Sequence, residues 1–115
     1  MKIRLLLLWS LLTFTVSCFA GSEGLKQGMS FQQARKFLQQ GGWTPIDVHK
    51  NDGYEFFGVE KILKESKINE VDSCAMDRAL CNLFYRKGNE CLRLITYGEA
   101  LKDMKVDSWT NDCPE

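Results

Sequence analysis

Several kinds of protein are excluded by what this sequence does not contain. There is no C-x-x-C pair, no H-E-x-x-H, no G-x-S-x-G and no phosphate-cradling glycine loop. Their absence removes the signatures of thioredoxin-type redox enzymes, zinc proteases, serine hydrolases and P-loop nucleotide binding. There is one histidine, His49, to serve as an ordinary general base near neutral pH. Net charge is also missing: 15 Lys and Arg balance 15 Asp and Glu, which leaves no electrostatic footprint for nucleic acid. The longest apolar run, from Leu5 to Val16, is interrupted by Ser10, Thr13 and Thr15. At about twelve residues it falls short of the roughly twenty that cross a bilayer. A length of 115 residues allows one domain and excludes a multidomain enzyme or a long repeat array.

What is present begins with an export signal. Lys2 and Arg4 precede the apolar run, and the small residues Ser17, Ala20, Gly21 and Ser22 follow it, the three-part pattern of a secretory signal peptide. Cleavage after Ala20 is the expectation. The alternative is a lipobox at Thr15-Val16-Ser17-Cys18, in which Cys18 is lipid-modified and becomes the first residue; Thr15 stands where that pattern prefers Leu. The expected organisation is a signal peptide over 1–20, a flexible glycine-containing leader over 21–29 and a single domain over 30–115. Loss of Lys2 and Arg4 leaves the exported chain slightly acidic.

Either processing route removes Cys18 from the five cysteines. The remaining four, Cys74, Cys81, Cys91 and Cys113, are an even number in a small exported chain and predict two disulfides. Zinc binding would need a closer cysteine pair, and no metal or cofactor is expected.

The periodicities predict an α+β fold, with an N-terminal helix packed on a small antiparallel sheet of three to five strands. Ser30 and Gln33 form a capping box for a helix over Ser30–Gln40. Phe31, Ala34, Phe37 and Leu38 make its apolar stripe, Arg35 and Lys36 lie on its polar side, and Gly41-Gly42 ends it. Trp43–His49 reads as a short strand with Pro45 near its start or on an edge. Tyr54–Leu63 fits a short helix weakened by Gly58. Ala79–Tyr97 is the clearest element, a β-hairpin about Gly88-Asn89. Its register pairs Lys87 with Glu90, Tyr85 with Leu92 and Leu83 with Leu94. Met104–Thr110 is expected to be a third strand, with Met104 and Val106 on one side and Trp109 on the other.

The hairpin register bears on the disulfides. Cys91 stands opposite Arg86, five residues from Cys81, or about 17 Å along the strand. A disulfide needs Cα atoms within about 7 Å, which disfavours Cys81–Cys91. Of the two connectivities left, Cys74–Cys81 with Cys91–Cys113 is preferred: it staples the entry to the hairpin and ties the chain end to the central strand.

Ala34-Arg35, Leu38 and Gly42-Trp43-Thr44-Pro45 resemble the AR-x-x-L-x-x-x-GW-x-P segment of small exported proteins of Gram-negative bacteria. Cys74, Cys81, Leu83 and Phe84 resemble their paired-cysteine strand. Leu92, Leu94, Thr96, Gly98 and Glu99 resemble their closing strand. Ala75–Leu80 departs from the Ser-Gly-Thr-Gly-like stretch of those relatives. The resemblance implies export and a disulfide staple, and it brings no activity with it.

Two functional classes follow. One is a non-catalytic binding protein of the cell envelope, periplasmic or secreted: an inhibitor, an immunity protein or an assembly factor. Its partner would be another envelope protein, and it would meet a membrane only through a lipid on Cys18, as an anchored lipoprotein. The expected partner surface is the non-core sheet face, with Leu80, Phe84, Arg86, Arg93, Ile95, Tyr97 and Trp109, since aromatic residues and arginine are enriched at interface centres. The competing expectation is that another segment, such as Tyr54–Leu63, covers that face. The other class is a small hydrolase using His49 or a carboxylate. For His49 the plain expectation is a solvated turn residue, and for Glu55, Glu60, Glu65, Glu70 and Asp72 a solvated face.

Overall fold

A serine and two glycines delimit the first helix. α1 spans Phe31–Gln40, and the Ser30 hydroxyl oxygen accepts from the Gln33 N–H at 3.1 Å, the serine half of the expected capping box. At the other end Gly42 takes φ +93°. Its N–H donates to the Gln39 carbonyl at 3.1 Å, and the Trp43 N–H reaches back to the Leu38 carbonyl at 2.9 Å. This is a Schellman closure, which satisfies carbonyls the helix would otherwise leave open and turns Trp43 into the core. The structure is a computed structural model describing residues 24–115; the expected signal peptide and Cys18 lie outside the described residues.

Five strands follow: β1 Thr44–Pro45, β2 Val71–Cys74, β3 Leu80–Lys87, β4 Glu90–Tyr97 and β5 Lys105–Thr110. The sheet is antiparallel, in the order β1-β3-β4-β5, and β2 also pairs with β3. The hairpin has the expected register: Lys87 faces Glu90, Tyr85 faces Leu92 and Leu83 faces Leu94. These four apolar residues are buried. A slip of one position would have moved them all to the other face.

The strand expected over Trp43–His49 is much shorter. Only Thr44 and Pro45 pair with β3, opposite Arg86 and Tyr85. Beyond the bond from the Ile46 N–H to the Phe84 carbonyl (3.0 Å), the same edge of β3 is taken by β2, with Val71 opposite Leu83. Two strands cannot occupy one edge at one place, so the chain leaves the sheet and turns at Val48–Lys50.

β5 differs from its expected alternation. Its register to β4 shifts so that Val106 faces Thr96 while Ser108 faces Ile95. Asp107 is therefore an extra, bulged residue, and every side chain after it changes face. Trp109 comes opposite Leu94 and packs against the core, not on the outer face.

The second helix, α2, spans Val59–Glu65. Gly58 lies just before it at φ +56°, outside the helix interior, and so does not weaken it. Leu63 joins Phe31, Ala34, Leu38, Ile68, Val71 and the inner leucines in a single core cluster, with Phe56 and Val59 against its edge. A buried leucine of this kind contributes about 1.5–3 kcal/mol.

The segment expected to be a flexible leader is docked from Gly24 onward. Leu25 is buried. The Gly28 N–H donates to the Val106 carbonyl at 2.8 Å, and the Val106 N–H donates to the Met29 carbonyl at 2.9 Å, so this segment caps part of the outer edge of β5.

Both preferred disulfides are present, Cys74–Cys81 and Cys91–Cys113. The first joins directly paired residues of β2 and β3. The second ties the chain end to β4. Two such bonds suit an oxidising compartment outside the cytoplasm. No helix among the described residues is long and apolar enough to cross a membrane.

Candidate functional site

The outer sheet face is smaller than the sequence predicts. Phe84 is buried, Trp109 packs against the core on the other face, and Leu80, Arg93 and Ile95 are half-buried. Arg86 and Tyr97 remain exposed. The cover comes from the C-terminal tail, because Tyr54–Leu63 packs its apolar side into the core. The Cys91–Cys113 bond pins the tail, Arg93 pairs with Asp112 at 3.1 Å, and Asp112, Cys113 and Glu115 border one recess with Phe84. The expected cover is thus partial, and it comes from the tail instead of from Tyr54–Leu63.

His49 is not a solvated turn residue, since its side chain is only 10% exposed. It stacks on Tyr54 with ring centroids 3.9 Å apart and meets the edge of Phe56 at 5.5 Å. Its Nδ1 lies 2.7 Å from the Asp52 carboxylate and its Nε2 lies 2.6 Å from the Asp72 backbone carbonyl. Asp72 is the bulged residue of β2, which frees that carbonyl from the ladder. A carbonyl oxygen accepts only, and so does an ionised carboxylate. Both acceptors are met at once when both ring nitrogens donate, that is, when His49 is protonated, and either way both nitrogens are engaged within the loop.

The electrostatics point the same way. Burial lowers the His49 pKa, but the bonds to Asp52 and to the Asp72 carbonyl outweigh it and hold the group above its ordinary 6.5. The same pairing holds the exposed Asp52 below its usual value. A raised histidine contributes stability fully below about pH 6.5 and loses it as pH rises through the folded pKa. The melting temperature should therefore fall as pH rises above about 6.5, and this decline should vanish in His49→Gln. An identical pH profile for the two proteins would show that His49 does not hold the loop.

Two carboxylates expected on a solvated face are buried instead. Glu60 accepts from the Tyr54 hydroxyl at 3.0 Å and from the Cys74 N–H at 2.7 Å. It thereby ties the loop after His49 to the disulfide strand. Glu70, with no exposed surface, accepts from Arg35 Nε at 2.6 Å and Nη2 at 3.2 Å, and from the Tyr85 hydroxyl at 2.8 Å. Arg35 is thus clamped rather than free on a polar face. Burial foremost, then the Glu70 charge, pushes the Tyr85 hydroxyl well above its usual range.

The clamped loop presents an apolar groove of about 280 Å³ beside the Cys74–Cys81 bond. Phe57, Val59 and Ile62 form one wall, Ala75, Met76 and Ala79 another, and Glu99 stands at the rim. Phe57 is 59% exposed, Ile62 42% and Met76 87%. None of these was a sequence candidate. Ile62 falls within the expected short helix, and Met76 is followed by Asp77 and Arg78. A methionine in the short stretch between two paired cysteines, with few apolar neighbours, is the one sequence signal that could have pointed here.

No protein-family model, curated protein or solved structure matches the chain. Its class is therefore set by its own geometry: a disulfide-stapled α+β domain.

Proposed function

We propose that this chain is a non-catalytic binding module of the cell envelope, exported to the periplasm, that grips a partner protein through the groove beside Cys74–Cys81. The observation that carries the reading is the outward display of Phe57, Ile62 and Met76 around one recess. Large apolar side chains gathered on a surface mark interaction sites, and methionine adapts its shape to a partner's. The partner segment is apolar, with a basic residue suited to Glu99. The engagement of both His49 nitrogens favours binding over hydrolysis. The N-terminal pattern and the resemblance to small exported Gram-negative proteins support the location. Inhibitors, immunity proteins and assembly factors all fit this description.

The double variant Ile62→Asp/Met76→Asp tests it. Both residues are surface-exposed, so stability should move by no more than about 0.5 kcal/mol each. Capture of a partner from oxidised periplasmic extract should fall by roughly thirtyfold or more if these are interface anchors. Unchanged recovery of the same partner by a folded double variant would overturn the groove as the contact.

A further inference from the structure

We infer that the recess between α1 and the end of α2, lined by the outer edge of Arg35, binds an oxyanion, a carboxylate or phosphate group carried on a partly apolar molecule. The inference is independent of the groove reading, since the two recesses share no residue.

A guanidinium has five N–H donors in a planar fork. Glu70 takes the inner edge of Arg35 through Nε and Nη2. Of the remaining donors, those on Nη1 make no hydrogen bond among the described residues, while the Tyr85 hydroxyl sits beside the clamped edge. The side chain is 27% exposed and borders a recess of about 240 Å³, ample for an ion several times the size of one water, about 30 Å³.

The other walls suit an anion. Gln32, Lys36 and Gln39 line them from α1 and Ser66 from the end of α2, and no carboxylate side chain is among the lining residues. Glu70 cancels the Arg35 charge, and Lys36 supplies one net positive charge. Ile68 and Leu101 complete the lining and provide apolar contact for the rest of the molecule. An arginine fork matches two oxygens of a carboxylate or phosphate at once. The inner clamp holds that fork in place before any ligand arrives, so little side-chain entropy is lost on binding. Stability alone does not account for such a clamp, because buried ion pairs are often no better than apolar residues of the same volume.

The test is an NMR titration of the full chain as exported, disulfides intact, at constant ionic strength. Sodium phosphate and sodium acetate are the soluble probes. Phosphatidylcholine vesicles containing phosphatidylglycerol form a third arm. The expected result is saturable shifts at Arg35 Nε–H and the Gln32 and Gln39 side-chain amides. Lys36→Ala/Gln39→Ala, which leaves the Glu70 clamp intact, should weaken binding about tenfold or more without changing the melting temperature. Tighter binding of vesicles than of free phosphate at equal phosphate concentration would assign the anion to a lipid headgroup, and equal or weaker binding to a soluble ligand. Shifts spread over the exposed lysines without saturation, or a double variant that titrates like the parent, would overturn the site.

Discussion

Reducing both disulfides should lower the stability of this domain by about 6 kcal/mol, from loop-closure contributions of roughly 2.5 kcal/mol for Cys74–Cys81 and 3.4 kcal/mol for Cys91–Cys113. Small domains are stable by only about 5–15 kcal/mol in total, so the reduced protein should be largely unfolded at 37 °C. The two bonds act on different parts of the molecule. Cys81 belongs to the core cluster and Cys74 packs against it, while Cys91–Cys113 holds a tail otherwise fixed by little more than the Arg93–Asp112 and Thr110–Asp112 contacts. Replacing Cys91 and Cys113 together by alanine should therefore release the tail and uncover Phe84, seen as faster amide exchange through β4. Replacing Cys74 and Cys81 should loosen β2 and the groove. Urea unfolding of oxidised and reduced protein gives the total, and a midpoint unmoved by reductant would refute a structural role for both bonds.

Arg35→Met alone should cost about 3–5 kcal/mol, because it strands the Glu70 carboxylate in the core without its charge partner. Glu70 has no exposed surface while Arg35 covers it, and without Arg35 the Tyr85 hydroxyl is its remaining donor among the described residues. The triple replacement Arg35→Met/Glu70→Leu/Tyr85→Phe should recover most of that loss, since it removes every polar group that needed a partner. Denaturant unfolding of the single and triple variants separates the two cases. A single variant within about 1 kcal/mol of the parent would mean that Glu70 finds another donor or takes up a proton at little cost. The triple variant also bears on the oxyanion recess, because it would be stable and yet lack the fork.

The hairpin was legible because its information is local. A two-residue turn sets the register, and alternation on each side of it agrees, so Tyr85, Leu83, Leu92 and Leu94 could be placed without knowing the rest of the chain. That register disfavoured Cys81–Cys91 and left two connectivities, of which the preferred one is present. Two bulges were not legible. One extra residue at Asp107 sends Trp109 inward, and another at Asp72 frees the carbonyl that holds His49. Nothing in the local pattern marks either, because a bulge depends on which strand lies alongside. The same holds for Arg35, which occupies a polar helix position by periodicity and is claimed by Glu70 from 35 residues away.

The sequence by itself determined the α+β class, the caps of α1 and the hairpin. Each of these rests on contacts within a few residues or across one turn. The export signal and the choice between cleavage and lipidation at Cys18 are likewise readings of sequence alone. Only the tertiary structure decided which apolar residues face outward and which carboxylates lie inside. Those outcomes depend on the space left once the strands share edges and the helices share a core. Phe57, Ile62 and Met76 remain on the surface while their neighbours Phe56, Val59 and Leu63 take the positions in and against the core. Glu60 and Glu70 are inside because Cys74, Tyr54, Tyr85 and Arg35 meet them there with donors.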